Sequence, residues 1–369
     1  MKQKSKLLHQ SNEANKLENV LVMQGGGSLG AYECGVYKAL VNNGIIFDVI
    51  AGTSIGAVNA ALIVGAKDDK PEKTLEEFWL DVAEKTTPDF LPEKMRIFYS
   101  TMSTAIWGNP NMFEPILKTP FPAFFCSMFP YLYNIEPLKK TIEKYVDFKK
   151  LNSTNSPRIL VTSVDIQKAK AVTFDSNHIE IDVDHILSSV GFPFYGLEWT
   201  EKDGKFLWDG SLMSNTPLRE VINASPKCDK NVYIVSLFPR NHDELPQNMS
   251  ESWHRARDIM HTDKTEHNVR MSKVISRYLR MMKEMHDIIS NSDLNENLKK
   301  RFEKIEPEYH KLACDRGAII QKIIRIEHQE ESHHIFEDAD FSFATIKHLI
   351  KQGSQDAKNV LIENAGVEN

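Results

Sequence analysis

Several features are scarce in this 369-residue chain, and each scarcity excludes a class of protein. Its four cysteines lie far apart without a Cys-x-x-Cys pair, which argues against a disulfide framework or a zinc ribbon and predicts reduced thiols in the cytoplasm. With 17 glycines and 16 prolines, the composition is neither collagen-like nor of low complexity. Lysine and arginine (45) do not outnumber aspartate and glutamate (51), so we expect no nucleic-acid partner.

Long apolar segments are also scarce. Residues 1–18 are polar and lack the hydrophobic core of a secretory signal, so we expect a flexible N-terminal segment there. Residues 50–66 carry no charge, but they are few for a bilayer span and include small and polar side chains. They therefore predict a buried helix. The 41% of hydrophobic residues is enough to form a large core.

A strand, a glycine-rich turn and a helix follow one another twice near the N-terminus. The strands are predicted at 19–24 and 45–50, and the helices at 31–42 and up to residue 66. This alternation indicates an α/β fold with parallel strands. Further strands are predicted by apolar runs at 158–164, 171–174, 232–237 and 319–326.

The second turn, Gly52-Thr53-Ser54-Ile55-Gly56, fits the pattern Gly-x-Ser-x-Gly between a strand and a helix. A serine on such a sharp turn projects its hydroxyl from the edge of the sheet, and the flanking glycines allow the strained turn and close packing. The amide of the following residue, Ile55, would then face a developing oxyanion. The pattern predicts that Ser54 is a nucleophile.

The first turn, Gly25 to Gly30, admits two interpretations. It satisfies the dinucleotide fingerprint Gly-x-Gly-x-x-Gly, with Asp48 as the acid 18 residues later, which would make the chain a redox protein. However, Asp48 is predicted in the middle of a strand, whereas the fingerprint needs its acid at a strand end. Alternatively, the turn supplies an oxyanion hole, because glycine turns after adjacent parallel strands meet at one sheet edge.

A serine nucleophile also needs a base. None of the 13 histidines lies in an evident motif. Asp209 is a stronger candidate, because it ends a short apolar run and precedes the turn Gly210-Ser211. A carboxylate at such a loop mouth can accept the serine proton directly if it lies within hydrogen-bonding distance.

These segments, in this order, resemble the motifs of the patatin-like phospholipase family, which uses a serine–aspartate dyad. The match includes the flanking segments 188–193 and 214–217 and covers roughly residues 19–240. The resemblance implies that Ser54 is the nucleophile and Asp209 the base. It implies an oxyanion hole formed by Gly26, Gly27, Ser28 and Ile55. The motif glycines are Gly25, Gly30, Gly52, Gly56 and Gly210. Leu29 stands where many members have arginine or lysine, so a role of that cation is absent here.

The resemblance also implies a three-layer α/β/α fold with a mainly parallel sheet. The expected plan is a catalytic domain over 19–240 and a mostly helical extension over 241–369 that packs on it. The expected activity is hydrolysis of lipid carboxylic esters, without a metal or other cofactor. A non-catalytic acyl-binding protein with the same fold is the remaining alternative.

Two regions bear on contact with lipid. Residues 71–135 are rich in proline and aromatic residues and predict a cap-like insertion. A helix predicted from residue 251 to about 290 carries an apolar stripe at helical spacing and many basic residues. We expect that stripe to pack against the core. The alternative is a peripheral contact of the helix with an anionic membrane.

Overall fold

The computed structural model describes residues 17–83, 87–88, 90–117, 128–241, 245–315, 317–329 and 337–367. Within them, eight strands form one sheet in the order β10-β9-β1-β2-β5-β8-β7, and β6 pairs with β5 beside this path. The strands are β1 (Leu17–Met23), β2 (Val49–Thr53), β5 (Arg158–Asp165), β6 (Lys170–Asp175), β7 (Thr200–Lys202), β8 (Lys205–Asp209), β9 (Asp229–Ser236) and β10 (Ile320–Glu327), while β3 (Glu114–Pro115) and β4 (Tyr133–Asn134) form a separate small pair. The order from β10 to β5 is entirely parallel. The mainly parallel sheet of the prediction is confirmed.

Eleven α-helices lie in the described part of the chain. They are α1 (Gly30–Asn42), α2 (Ile55–Val64), α3 (Pro71–Val82), α4 (Glu93–Trp107), α5 (Glu136–Tyr145), α6 (Phe148–Leu151), α7 (Val183–Leu187), α8 (Leu218–Ala224), α9 (Met249–Ser290), α10 (Glu296–Tyr309) and α11 (Phe343–Val367). The uncharged stretch at 50–66 forms β2 and the fully buried helix α2, as predicted. No helix among the described residues combines the length and hydrophobicity needed to cross a bilayer.

Alternating side chains of the strands form two separate cores. In β1, Leu21 and Met23 belong to the core on one face, and Val20 and Val22 belong to the core on the other. The first core includes side chains of α1, α2, α3 and α11. The second includes Leu218 and Val221 of α8 and Val269 of α9. Because successive side chains of a strand point to opposite faces, the sheet is covered on both sides and the fold has three layers.

The two predicted turns lie side by side. Strands β1 and β2 are parallel neighbours, with Met23 in register with Gly52, so both end at the same sheet edge. Strand β8 runs antiparallel to β5 and places Asp209 opposite Ser163. Since Thr162 is in register with Thr53, Asp209 lies close to the level of Ser54.

The predicted insertion at 71–135 has parts with different positions. Helix α3 belongs to the main core, where Leu75, Phe78 and Trp79 are fully buried. Helix α4, in contrast, leaves Phe98 and Met102 exposed. Residues 118–127, which include most of the phenylalanines expected in a cap, lie outside the described residues.

The C-terminal part is interleaved with residues 19–240. Strand β10 pairs in parallel with β9 and so extends the central sheet. Helix α11 packs along α1, where a side chain at Gly35 would come within 1.9 Å of the Ile350 carbonyl oxygen. The 3₁₀ turn Glu337–Ala339 approaches the glycine loop, since a side chain at Gly27 would come within 2.1 Å of the Asp338 carbonyl oxygen. The C-terminal part therefore contributes directly to the sheet and to the surroundings of the loop.

The long helix α9 contradicts one expectation. The apolar stripe predicted to pack on the core consists of Met271, Val274, Ile275, Tyr278, Leu279, Met282 and Met285. Of these, only Leu279 is buried. The face of α9 that meets the body carries small and polar residues, such as Thr265, Ser272 and Ser276. Hydrogen bonds fix this face, for example from the Ile320 amide to the Ser276 hydroxyl (3.0 Å), so hydrophobic periodicity indicated the wrong side.

Candidate active site

Ser54 occupies a strained position between β2 and α2. Its φ of 56° and ψ of −126° lie in a region of backbone angles that residues other than glycine rarely adopt. The flanking glycines are needed for space. A Cβ at Gly52 would lie 2.1 Å from the Gly56 carbonyl oxygen, and one at Gly56 would lie 2.6 Å from that of Met23. The sequence therefore builds the sharp strand-to-helix turn that the motif predicts.

Asp209 lies directly against this serine. The Ser54 hydroxyl donates a hydrogen bond of 2.5 Å to Oδ2 of Asp209, and the Ser211 amide donates one of 2.8 Å to Oδ1. The carboxyl group is almost completely buried. Burial raises the pKa of Asp209 to about 6, although both hydrogen bonds favour the charged form. Such a carboxylate is a stronger base than an exposed aspartate and still ionises near neutral pH.

The glycine loop that follows β1 passes beside Ser54. A Cβ at Gly25 would lie 2.7 Å from that of Ser54, so only glycine allows this approach. The Asn215 side chain accepts a hydrogen bond from the Gly25 amide (2.9 Å) and donates one to its carbonyl oxygen (3.2 Å). Asn215 thereby fixes the loop against the site.

The electrostatics of this edge favour an anion. The amides of Gly26, Gly27 and Ile55 have no acceptor within the residues that the structure describes. Helices α1 and α2 begin next to these amides, and the positive ends of their dipoles lie at the site. Of the predicted oxyanion residues, Gly26, Gly27 and Ile55 line the same cavity as Ser54, whereas Ser28 is buried in the 3₁₀ turn Gly27–Leu29 and is not part of that lining.

Asp48, the acid of the dinucleotide interpretation, lies elsewhere. Strand β2 begins at Val49, so Asp48 is outside the strand and not in its middle as predicted. Its Oδ2 accepts a hydrogen bond from the Asn19 amide (2.9 Å), near the start of β1. The starts of the strands lie at the opposite edge of the sheet from the glycine loop. The Asp48 carboxylate is therefore remote from any ligand that the loop would hold.

A cavity of about 590 Å³ opens beside Ser54 and Asp209. Its wall is mostly apolar and includes Ile97, Met112, Phe113, Ile135, Leu138, Val190, Phe192 and Leu197. Helix α4 forms one side through Phe98, Thr101 and Met102. The pair Ser54–Asp209 therefore lies in the wall of a space that is lined to hold an apolar group.

A polar part of the wall comes from the C-terminal region, and the sequence did not indicate it. Arg257 pairs with Asp338 (2.9 Å), and the Tyr195 hydroxyl donates to the same carboxylate (2.6 Å). His261 stacks on Phe238, with ring centroids 4.8 Å apart. Burial and the nearby charges of Arg257 and Lys264 lower the pKa of His261 to about 4, so the ring is neutral. The motifs gave no signal for Arg257, His261 and Asp338 because these residues follow the last motif.

Ser189 is a further functional candidate, which the sequence indicated only as part of the segment 188–193. Its hydroxyl accepts a hydrogen bond from the Ser54 amide (2.7 Å) and donates one to the Thr162 carbonyl oxygen (2.6 Å). Ser189 is fully buried. It holds the strained Ser54 peptide to strand β5, while Asn215 holds the glycine loop.

Two family models match the chain. The model described as patatin-like phospholipase matches residues 21–222, and one described as patatin phospholipase matches residues 259–368. The first covers more than half of the chain and includes Ser54, Asp209 and the glycine loop. The second covers most of the C-terminal region.

Curated relatives match over limited lengths. A cGAMP-activated phospholipase of Escherichia coli is 22% identical over 248 residues, which is 59% of this chain and 61% of that protein. A patatin-like phospholipase domain-containing protein of Coccidioides immitis is 41% identical over 63 residues, 17% of this chain and 9% of its own length. The chain thus spans less than two thirds of the length of these relatives.

Among solved structures, VipD from Legionella pneumophila matches with 11% identity and a TM-score of 0.36, over 94% of this chain and 67% of its own. The type III effector ExoU gives 12% identity and a TM-score of 0.37, over 94% and 53%. Scores this low add nothing to the assignment. On the family model over residues 21–222, the chain belongs to the patatin-like phospholipase family.

Proposed function

We propose that this protein hydrolyses carboxylic ester bonds of lipids, with Ser54 as nucleophile and Asp209 as base. The observation that carries the proposal is the 2.5 Å hydrogen bond from the Ser54 hydroxyl to the buried Asp209 carboxylate, in the wall of an apolar cavity. Membership of the patatin-like phospholipase family supports lipid as the substrate class.

In the first half of the reaction, the Ser54 oxygen attacks the ester carbonyl carbon and its proton passes to Oδ2 of Asp209. A tetrahedral oxyanion forms. When it collapses, the carbon–oxygen bond to the alcohol or lysolipid breaks, and the protonated Asp209 returns its proton to the leaving oxygen. The acyl group remains as an ester on Ser54.

In the second half, a water molecule attacks the acyl-enzyme. Asp209 accepts a proton from the water and gives one back to the Ser54 oxygen as the fatty acid leaves. The amides of Gly26, Gly27, Ser28 and Ile55 are the proposed donors to the oxyanion in both halves. The loss of one such donor typically costs about 10²–10³ in rate.

The test combines a fluorophosphonate probe with a substrate panel of phospholipids, triacylglycerols and short nitrophenyl esters. We expect wild type to react with the probe and to release fatty acid, Ser54→Ala to do neither, and Asp209→Asn to react far more slowly. Asp165→Asn is the matched control. Asp165 is also a buried carboxylate that accepts backbone amides, from Gln167 and Lys168, but among the described residues it accepts no hydrogen bond from a serine hydroxyl.

Two results would contradict the proposal. Equal labelling of wild type and Ser54→Ala would remove Ser54 as nucleophile. Fatty-acid binding without labelling or hydrolysis would instead identify a non-catalytic acyl-binding protein, because the cavity would then hold the chain without chemistry at Ser54.

A further inference from the structure

Helix α9 buries mainly small and polar residues and exposes most of its apolar ones, which is the reverse of an ordinary amphipathic helix. Apart from Val269 and Leu279, its buried positions between residues 254 and 279 are His254, Asp258, His261, Thr265, Ser272 and Ser276. Its apolar side chains lie instead on the surface. Met271, Val274, Tyr278, Met281, Met285 and Ile288 are each 38–59% exposed. We call these six residues the outer stripe of α9. Contiguous exposed apolar surface of this kind marks an interaction site.

The spacing within the outer stripe indicates what covers it. Steps of three and four residues alternate from Met271 to Ile288, which is the a/d pattern of a helix that packs along another helix. We align two copies of α9 in antiparallel orientation, with the two-fold axis between Leu279 and Arg280. Each residue of the outer stripe then faces another residue of the stripe on the second copy. Met271 then meets Ile288 of the second copy, Val274 meets Met285, and Tyr278 meets Met281.

The flanking residues fit the same alignment. Ile275, which is 49% exposed, comes beside Met282 of the second copy and widens the apolar contact. On the other flank, Arg277 comes beside Glu284 of the second copy, and the two-fold axis produces this ion pair twice. Both side chains are exposed, and neither has an ion-pair partner in the described part of this chain.

We infer that the outer stripe of α9 is a self-association surface, through which two copies of this chain pair by antiparallel α9 helices. A two-fold contact of this type is self-complementary, so one helix supplies both halves. The opposite charges at Arg277 and Glu284 favour a second copy, because the two-fold alignment pairs each arginine with a glutamate, whereas on an anionic membrane Glu284 and Asp287 would oppose the attraction of the basic residues of α9.

Charge reversal tests the alignment directly. We measure the mass of the full-length protein by sedimentation velocity across a concentration series. Wild type is expected to associate to twice 42.2 kDa. Arg277→Glu and Glu284→Arg should each weaken association by roughly tenfold or more, because each places like charges together. The double variant Arg277→Glu/Glu284→Arg should restore it, since the ion pair is then rebuilt with its signs exchanged.

Met285→Glu and Met260→Glu form a matched pair for the apolar contact. Both methionines are exposed on α9, but Met260 has no counterpart in the proposed alignment. We expect Met285→Glu to yield monomers and Met260→Glu to leave association unchanged. A monomeric wild type at tens of micromolar, or a double charge variant as weak as the single ones, overturns the inference. Sedimentation of monomers with anionic vesicles through this stripe would assign it to lipid and overturn it as well.

Discussion

The side chain of Asn215 holds both polar groups of Gly25, accepting a hydrogen bond from its amide at 2.9 Å and donating one to its carbonyl oxygen at 3.2 Å. The two residues are 190 positions apart in the chain. Gln24 reinforces the connection, since its Nε2 donates to the Thr216 hydroxyl (2.6 Å). The glycine loop is therefore positioned by the segment that follows Asp209. Asp209 and the glycine loop, which both lie against Ser54, thus depend on the same segment of the chain.

Asn215→Ala should lower kcat by about 10–100-fold and change KM little, because the loop amides would lose their fixed position toward the oxyanion while the cavity stays intact. Steady-state kinetics on a short nitrophenyl ester measure this split. Asn231→Ala is the control. The Asn231 side-chain amide also makes a hydrogen bond between distant parts of the chain, to the Asn19 side chain, but near the starts of β1 and β9 and away from the site. Equal losses of kcat in both variants would contradict the positioning role.

Ser189→Ala should slow the reaction of Ser54 with a fluorophosphonate probe. The variant removes the acceptor of the Ser54 amide and the donor to Thr162, and an unsatisfied buried group costs about 1–3 kcal/mol. The strained Ser54 peptide is then free to relax away from Asp209.

Ser188→Ala separates this positioning effect from a general loss of stability. Ser188 is equally buried, and its hydroxyl also makes hydrogen bonds, to the His185 carbonyl oxygen and to Ser163, but among the described residues it makes none to Ser54. We expect similar losses of unfolding free energy in the two variants and slower labelling only in Ser189→Ala. Slower labelling in both would assign the effect to packing.

The sequence predicted the core of the site better than its supports. Gly25, Gly27, Gly52 and Gly56 could be identified from the sequence, because these positions need backbone approaches that no other residue allows. Ser189 and Asn215 act through hydrogen bonds across more than 100 residues, and no local spacing reports such contacts. The cavity wall from Arg257 and Asp338 was missed for the same reason. For α9, periodicity predicted the helix, but it did not reveal which face meets the body, because hydrogen-bonded small residues form that contact.

Asp209→Asn should stabilise the fold at high pH. The folded pKa of about 6 lies above the unfolded value of 3.8, so ionisation of Asp209 opposes folding. This cost is fully present above pH 6, falls as the pH falls through the folded value, and is absent below about 3.8. Its upper bound is about 3 kcal/mol, and asparagine removes it because it stays neutral. Urea unfolding at pH 8 and at pH 4 measures the stability gain of the variant over wild type. An equal gain at both values would contradict the raised pKa.

Thr101→Phe should make the protein selective for short acyl chains. Thr101 lies on α4 and lines the cavity, so a phenyl ring there occupies part of the 590 Å³ without altering Ser54 or Asp209. We expect the rate of hydrolysis of long-chain esters to fall by at least about tenfold, because contacts of single methylene groups are worth about this much. The rate for short nitrophenyl esters should change little. Ser103→Phe, on the same helix but away from the cavity lining, should leave the ratio of long-chain to short-chain rates unchanged. A uniform loss on all chain lengths in Thr101→Phe would mean that the acyl chain lies elsewhere, because a group bound outside the cavity would not sense the volume of that side chain.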